Sequence, residues 1–212
     1  MNKGMLSVGF AIALFWSSAI ALAQEQAPAP SYKEGDTWQY KRDQKGQIVS
    51  SSERISGVFE LVLSQGNVKV YEINGNEKTE VDVTPGGPGD GLSALVAHNE
   101  QRPILKYPLS VGQKWNYEYE STPAGARQTQ KRSVEVVVAG IEQITTPAGT
   151  FKAYKLVRSE KWQGAGRRAA WNGNTTTYFY SPETRSVVKS STVNDTTPGT
   201  SEIELIKFTP GS

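Results

Sequence analysis

The sequence contains no cysteine and only one histidine, and these two shortages remove several kinds of chemistry. Without cysteine there is no disulfide, no thiol nucleophile, no thiolate metal ligand and no lipid-modified cysteine. A structural zinc site would lack most of its usual ligands. The single histidine, His98, lies in a predicted short helix near Ser93 without a nucleophile elbow, so we interpret it as a surface or helix-end residue. We therefore predict a protein that is not an enzyme and that uses no cofactor or metal.

Long runs of like charge are also missing. The chain has 23 Lys and Arg residues against 21 Asp and Glu residues, with a formal net charge of +2. This balance predicts neither a nucleic-acid-binding tract nor a polybasic membrane segment. The pairs Lys131-Arg132 and Arg167-Arg168 are typical of solvated loop or edge positions. The expected partner is instead an unknown protein or an apolar ligand of the cell envelope.

The N-terminus has the composition of a secretory signal peptide. Lys3 precedes a mostly apolar run over residues 5–16, and Ala21-Leu22-Ala23 follows it. The run is short for a membrane span, which needs about 20 apolar residues. We predict cleavage between Ala23 and Gln24, a periplasmic or secreted location in a bacterium, and no membrane span after cleavage. A retained N-terminal anchor helix is the alternative.

Helical periodicity is scarce, and apolar residues alternate with polar ones along most of the mature chain. Trp115, Tyr117 and Tyr119 alternate with polar residues, which is typical of a half-buried strand. Similar patterns predict strands over residues 36–42, 47–63, 68–73, 78–83, 114–120, 131–144, 150–162, 175–181, 186–193 and 201–208. We predict a mainly β fold: a single antiparallel, strongly curved sheet, or a partly closed β-barrel or half-barrel, with at most one short helix near residues 91–99.

Turn signals lie between the strands at the spacing of antiparallel hairpins. Residues 43–46, 64–67 and 74–76 each offer Gly or Asn, which tolerate the positive φ that tight hairpins need. The apolar alternation slips by one residue within 68–73 and again within 203–208. These slips predict β-bulges, or strands covered on both faces.

The mature chain divides into a flexible leader over residues 24–30 and a single β-rich domain over 31–208. Segments 35–40 and 112–117 share the pattern Gly-x-x-Trp-x-Tyr, which favours two related halves with both tryptophans in the core. The halves span about 31–83 and 107–208. A Gly- and Pro-rich connection, 84–106, joins them.

Three motifs in the second half resemble a known family. They are Tyr107-Pro108-Leu109, Thr146-Pro147-Ala148-Gly149-Thr150-Phe151 and Tyr178-Phe179-Tyr180-Ser181-Pro182-Glu183. In this order they resemble the TapB-like family of uncharacterised bacterial envelope proteins, which implies a β-rich domain of unknown function over about residues 31–208. Such proteins often carry glycine where this chain has Arg185. The resemblance implies no catalytic residue.

The best candidate binding residues surround a predicted hairpin loop. Residues 164–169 match G-x-G-x-x-A, but a dinucleotide site needs that turn between a strand and a helix, which this segment does not offer. Trp162, Arg167, Arg168 and Trp171 place aromatic and cationic groups around the loop, where a ligand could stack or pair with charge. The alternative is that the tryptophans cap the sheet and the arginines are solvated. The glycine-rich residues 86–90 approach a calcium repeat but favour a linker.

We therefore expect an exported, non-catalytic scaffold that binds a ligand or partner. One alternative is a carrier of an apolar or lipid-like ligand, in which a curved sheet encloses a cavity. The other is a hydrolase with an unrecognised carboxylate site. Its candidate carboxylates, Glu118, Glu120, Glu202 and Glu204, fall opposite the apolar faces of their strands, a pattern typical of solvent exposure.

Overall fold

The computed structural model describes residues 25–46, 56–83, 90–96, 103–122, 129–163, 171–195 and 199–212. Within them, two short strands, β1 (Gln26–Ala27) and β6 (Leu109–Ser110), pair with each other. The other strands form one antiparallel sheet: β2 (Thr37–Gly46), β3 (Gly57–Ser64), β4 (Asn67–Asn74), β5 (Glu77–Val81), β7 (Lys114–Ser121), β8 (Gln130–Thr146), β9 (Gly149–Gln163), β10 (Trp171–Ser181), β11 (Ser186–Asn194) and β12 (Gly199–Thr209). One helix, α1 (Asp90–Ser93), is described. The predicted fold class is confirmed.

The large sheet consists of two meanders joined side by side. Its order is β5-β4-β3-β2-β12-β11-β10-β9-β8-β7, and each neighbouring pair is antiparallel. The strand that begins the first meander, β2, pairs with β12, which ends the second. Strands β5 and β7 are the edges, so the sheet formed by the described residues is open rather than a closed barrel. The predicted strand that began at residue 47 begins at Gly57, and residues 47–55 lie outside the described part.

Two of the three predicted turns are confirmed. Ser64 pairs with Asn67 across Gln65 and Gly66, whose φ values of 52° and 75° suit a tight hairpin. Gly75, with φ 63°, turns β4 into β5. The turn predicted at residues 43–46 is wrong. These residues continue β2 and pair with residues 199–202 of β12, because ladder hydrogen bonds between distant segments outweigh the local turn preference.

One predicted bulge is present and the other is absent. The register between β12 and β2 shifts between Leu205 and Lys207, as the slipped pattern in residues 203–208 predicts. Residues 68–73 pair with β3 in unbroken register, so the bulge predicted there is wrong. Among the apolar residues of this segment, Val70 is fully buried and Val68 and Ile73 are half-buried. The slip there results from partial burial near the sheet edge.

The two Gly-x-x-Trp-x-Tyr segments adopt the same local structure. The amide of Gly35 donates to the carbonyl of Leu63, whose own amide donates to Asp36 O. The amide of Gly112 donates to Val138 O in the same way, and the amide of Val138 donates to the carbonyl oxygen of Gln113. Both glycines have positive φ, 82° and 86°, where a side chain would be strained.

Both tryptophans of these segments are buried and hydrogen-bonded, as the repeat predicts. Trp38 Nε1 donates to Thr184 O at 2.8 Å, and Trp115 Nε1 donates to Pro103 O at 2.9 Å. We call the sheet face that carries these two side chains the inner face. A buried Trp is stable when its N–H finds an acceptor, and both of these do.

The connection between the halves covers part of the inner face. Three leucines and a valine from it are buried in the same core as Trp38 and Tyr40: Leu92, Leu95, Leu105 and Val96. Val187 N donates to Leu95 O at 2.9 Å, which fixes the connection to the sheet. Helix α1 ends at Ser93, earlier than predicted, and residues 97–99 lie outside the described part.

The expected flexible leader is partly docked. Gln26 and Ala27 pair with Ser110 and Leu109, and Ala27 is buried against the core. The sequence pattern missed this strand because two residues are too few to show alternation. The pairing depends on Leu109, which is distant in sequence.

In the turn between β10 and β11, Arg185 occupies a backbone position that favours glycine. The contacts of its side chain explain why arginine is accepted there. Arg185 has φ 58°, in the left-handed region. Its guanidinium bonds the buried Asp36 Oδ1 at 2.6 Å and lies over the Phe208 ring at 5.4 Å. Asp36 also accepts from the amide of Gly211 at 2.8 Å. These contacts compensate for the strained backbone and attach the C-terminal segment to the start of β2.

Candidate functional site

The inner face changes from apolar to polar along strands β8 to β11. Leu156, Val136 and Val138 are buried in the core, whereas the same face further along the strands carries buried polar and charged side chains. The inner polar cluster consists of four buried residues, Arg132 on β8, Glu160 on β9 and Asn174 and Thr176 on β10, together with the half-buried Arg158 on β9. The register places Glu160 between Val134 and Asn174, and Arg158 between Val136 and Thr176.

Glu160 is the centre of the cluster. Its side chain is 4% exposed and accepts from Arg132 Nη1 at 3.1 Å and from Arg158 Nη1 at 2.9 Å, through different carboxylate oxygens. The Tyr119 hydroxyl also donates to it. A buried carboxylate costs several kcal/mol to desolvate unless partners of this kind surround it. The three donors therefore allow Glu160 to remain ionised inside the protein.

Two stacked tyrosines extend the cluster to the edge strand. The rings of Tyr117 and Tyr119 on β7 lie 6.2 Å apart with an interplanar angle of 27°. Arg158 Nε donates to the Tyr117 hydroxyl at 3.2 Å. Both tyrosines are half-buried, so they connect the buried charges to the molecular surface.

The pKa shifts agree with this charge arrangement. Burial acts to raise the pKa of Glu160, but Arg158, the Tyr119 hydroxyl and Arg132 outweigh it, so the pKa lies below its ordinary value. Burial and the neighbouring carboxylate raise the pKa of Tyr119 to about 12. At neutral pH the cluster therefore holds two guanidinium cations, one carboxylate and a neutral Tyr119 hydroxyl.

Two buried polar atoms of the cluster have no hydrogen-bond partner within the described part of the chain. They are Arg132 Nε and Asn174 Oδ1, on side chains whose residues are 5% and 6% exposed. Leaving a buried donor or acceptor unpaired costs about 1–3 kcal/mol. Native proteins keep few such groups, and those they keep need a specific explanation.

The candidate residues chosen from sequence are only partly described. Trp162 lies on β9, is 2% exposed and packs under the guanidinium of Arg132, whose Cζ is 4.5 Å from the ring centroid. It is therefore part of the inner face and not of a surface loop. Trp171 begins β10, and its backbone pairs with Gln163. Arg167 and Arg168 lie outside the described residues.

The interpretation of Lys131-Arg132 as a solvated pair is half wrong. Lys131 is exposed and pairs with Glu118 at 2.6 Å, whereas Arg132 is buried. Neighbouring residues of a strand point to opposite faces, so one member of the pair had to face inward. The sequence carried this signal, because Arg132, Val134 and Val136 share one alternation.

The carboxylates considered for a hydrolase face outward. Glu118, Glu120 and Glu202 are exposed, and Glu204 pairs with Lys189 at 2.5 Å. In the described part of the chain, no three His, Asp or Glu side chains come together as a metal site would require. His98, residues 86–89 and the cleavage position between Ala23 and Gln24 lie outside that part.

Comparison with known proteins shows similarity of fold only. No family model matches the chain, and no curated protein matches it. A solved structure described as a lipoprotein from Parabacteroides distasonis is similar with a TM-score of 0.52 and 12% identity, over 88% of this chain and 100% of that one. These comparisons do not confirm that the chain belongs to the TapB-like family.

Two further solved structures are similar at lower scores. An exported protein with a YmcC-like fold from Bacteroides fragilis has a TM-score of 0.40 and 11% identity, over 86% of this chain and 99% of that one. The hypothetical lipoprotein YmcC from Escherichia coli has a TM-score of 0.41 and 13% identity, over 83% and 86%. Among the described residues, no helix has the length and hydropathy to cross a membrane.

Proposed function

We propose that this chain is exported to the bacterial cell envelope and acts there as a non-catalytic protein that binds a polar ligand at the inner polar cluster. The export part rests on the signal-like order of Lys3, the apolar run and Ala21-Leu22-Ala23. The similar fold of a protein described as a lipoprotein supports the same location.

The observation that carries the binding part is the group of buried Arg132, buried Glu160 and half-buried Arg158, in which Arg132 Nε and the neighbouring Asn174 Oδ1 have no hydrogen-bond partner in the described part of the chain. Buried ion pairs are weak contributors to stability, and apolar residues of similar volume often stabilise a core more. Charged side chains that replace apolar ones on the inner face therefore favour a functional reason for their presence. A bound polar molecule would supply the missing hydrogen bonds.

The two alternatives receive less support from the described residues. A carrier of an apolar ligand needs an apolar cavity, whereas the apolar part of the inner face is packed with Leu92, Leu95 and Leu105. A glycoside hydrolase uses one carboxylic acid as proton donor and a second carboxylate as nucleophile or base. The lowered pKa of Glu160 and its bonds to Arg132 and Arg158 do not favour the proton-donor role.

Export is tested by cell fractionation and by sequencing the N-terminus of the purified protein. We expect the protein in the periplasmic or secreted fraction, with Gln24 as its first residue. A protein that keeps Met1 and stays in the cytoplasm would contradict the export part.

Binding is tested by native mass spectrometry of the protein purified from its own envelope. We expect a bound small molecule in the wild type and in the surface control Lys131→Met, and its loss in Arg132→Met. The control alters the neighbouring residue on the same strand but the opposite face. The proposal fails if wild-type protein carries no small molecule and crosslinking captures none.

A further inference from the structure

The inner polar cluster has an excess of one positive charge. The charged side chains of the inner polar cluster are Arg132, Arg158 and Glu160. The Tyr119 hydroxyl beside them remains neutral at physiological pH, because burial and the neighbouring carboxylate raise its pKa. An isolated buried cation is costly, so a single negative charge brought by a ligand would complete the balance.

The two unpaired atoms define what else the ligand must offer. Arg132 Nε is a donor and needs an acceptor oxygen, whereas Asn174 Oδ1 is an acceptor and needs a hydroxyl or amine hydrogen. The two side chains lie on strands separated by β9, so their strand axes are roughly 10 Å apart. One ligand that reached both would need an anionic group at one end and a hydrogen-bond donor at the other.

We propose that the inner polar cluster binds a small hydroxylated monocarboxylic acid, with its carboxylate at Arg132 and a hydroxyl group at Asn174. This inference rests on the proposed function and adds the chemical class of the ligand. A carboxylate matches the planar guanidinium and brings the one negative charge that the cluster lacks. A phosphate group at neutral pH brings up to two charges and exceeds the balance.

The stacked tyrosines lie between the cluster and the open edge of the sheet. Tyr117 and Tyr119 are half-buried on the edge strand β7, and their hydroxyls contact Arg158 and Glu160. A ligand that enters at this edge meets the tyrosine rings before it reaches Arg132. Aromatic faces beside a few convergent polar groups are typical of small-molecule sites.

The test is calorimetric titration of the purified mature protein with four probes at constant ionic strength. D-glucuronate and D-glucose share a hydroxylated ring and differ in the carboxylate, whereas acetate and inorganic phosphate are anions without that ring. We expect D-glucuronate to bind at least about tenfold more tightly than D-glucose or acetate, because charge-assisted and neutral hydrogen bonds both contribute. Phosphate should bind more weakly than D-glucuronate.

Variants locate the site. Arg132→Met should abolish the preference for D-glucuronate over D-glucose, and Asn174→Leu should weaken D-glucuronate while leaving acetate unchanged. Lys131→Met is the matched control and should bind as the wild type does. If Arg132→Met fails to fold, the probe preference of the wild type and the Asn174→Leu result still decide the matter.

The outcomes separate this inference from the function on which it rests. Equal binding of D-glucose and D-glucuronate, tighter binding of phosphate, or an unchanged preference for D-glucuronate over acetate in Asn174→Leu overturns the acid inference alone. If no probe binds while the envelope-purified protein carries a ligand of other chemistry, the inference also fails and the proposed function stands. If no probe binds and the envelope-purified protein carries nothing, both fail, and buried water satisfies Arg132 and Asn174.

Discussion

Replacing Glu160 by glutamine should reveal how strongly the inner polar cluster depends on its one carboxylate. The substitution keeps the shape of the side chain and removes its charge, which leaves the buried Arg132 and the half-buried Arg158 without their shared counter-charge. Breaking a buried ion pair costs about 3–5 kcal/mol. For a domain of this size, that loss lowers the Tm by roughly 10 °C.

The effect should depend on pH in a direction that the structure fixes. The pKa of Glu160 is lower in the folded protein than its ordinary value of 4.5. The contribution of Glu160 to the free energy of unfolding is therefore fully present above the pKa of the unfolded state and is lost as the pH falls through the pKa of the folded state. The difference in unfolding free energy between wild type and Glu160→Gln should be largest at neutral pH and should shrink below about pH 4.

Urea unfolding followed by tryptophan fluorescence at several pH values measures this difference. Glu118→Gln is the matched control, because Glu118 pairs with Lys131 on the exposed face and its loss should cost less than about 1 kcal/mol. The reasoning is refuted if Glu160→Gln costs no more than the control. It is also refuted if the cost is the same at neutral and acid pH.

Three further substitutions test the packing of the core and the attachment of the C-terminal segment. Gly211→Ala should lower the free energy of unfolding in urea by about 1–3 kcal/mol, because its Cβ would collide with the carbonyl oxygen of Glu34. Gly91→Ala is the control and should leave that free energy unchanged, because its Cβ meets open space. Arg185→Gly should relieve about 1 kcal/mol of backbone strain, but it should destabilise the protein overall because the buried Asp36 loses its ion-pair partner. A more stable variant in the same assay would contradict this. Trp38→Phe should cost about 2 kcal/mol through the lost hydrogen bond and volume, and an unchanged thermal midpoint would contradict its placement in the core.

Strand positions could be predicted well from the sequence, whereas one predicted turn and one predicted bulge were wrong. Alternation of Trp115, Tyr117 and Tyr119 correctly predicted β7, since side-chain period is a property of the strand itself. Residues 43–46 looked like a turn because local preference was read without knowing that β12 would pair with them. The docked Ala27 was missed for the same reason, because its partner Leu109 is distant in the chain.

The candidate site was predicted only at its margin. The sequence pattern indicates Trp162 as a candidate, but it indicates that Arg132, which packs over the Trp162 ring, is solvated. Arg158 and Glu160 drew no attention, because charged residues at alternate positions of a strand normally indicate an outward face. Their burial could be inferred only after Leu156 and Trp162, on the same alternation, were known to face inward.

The sequence by itself determined the alternating strands, two of the tight turns and the two buried Gly-x-x-Trp-x-Tyr segments, because these depend on residue period and on local backbone freedom. Tertiary structure alone decided the strand order, the pairing of β2 with β12 and the meeting of Arg132, Arg158 and Glu160. Register between strands brings those three side chains together, and register is a relation between segments that no single segment contains.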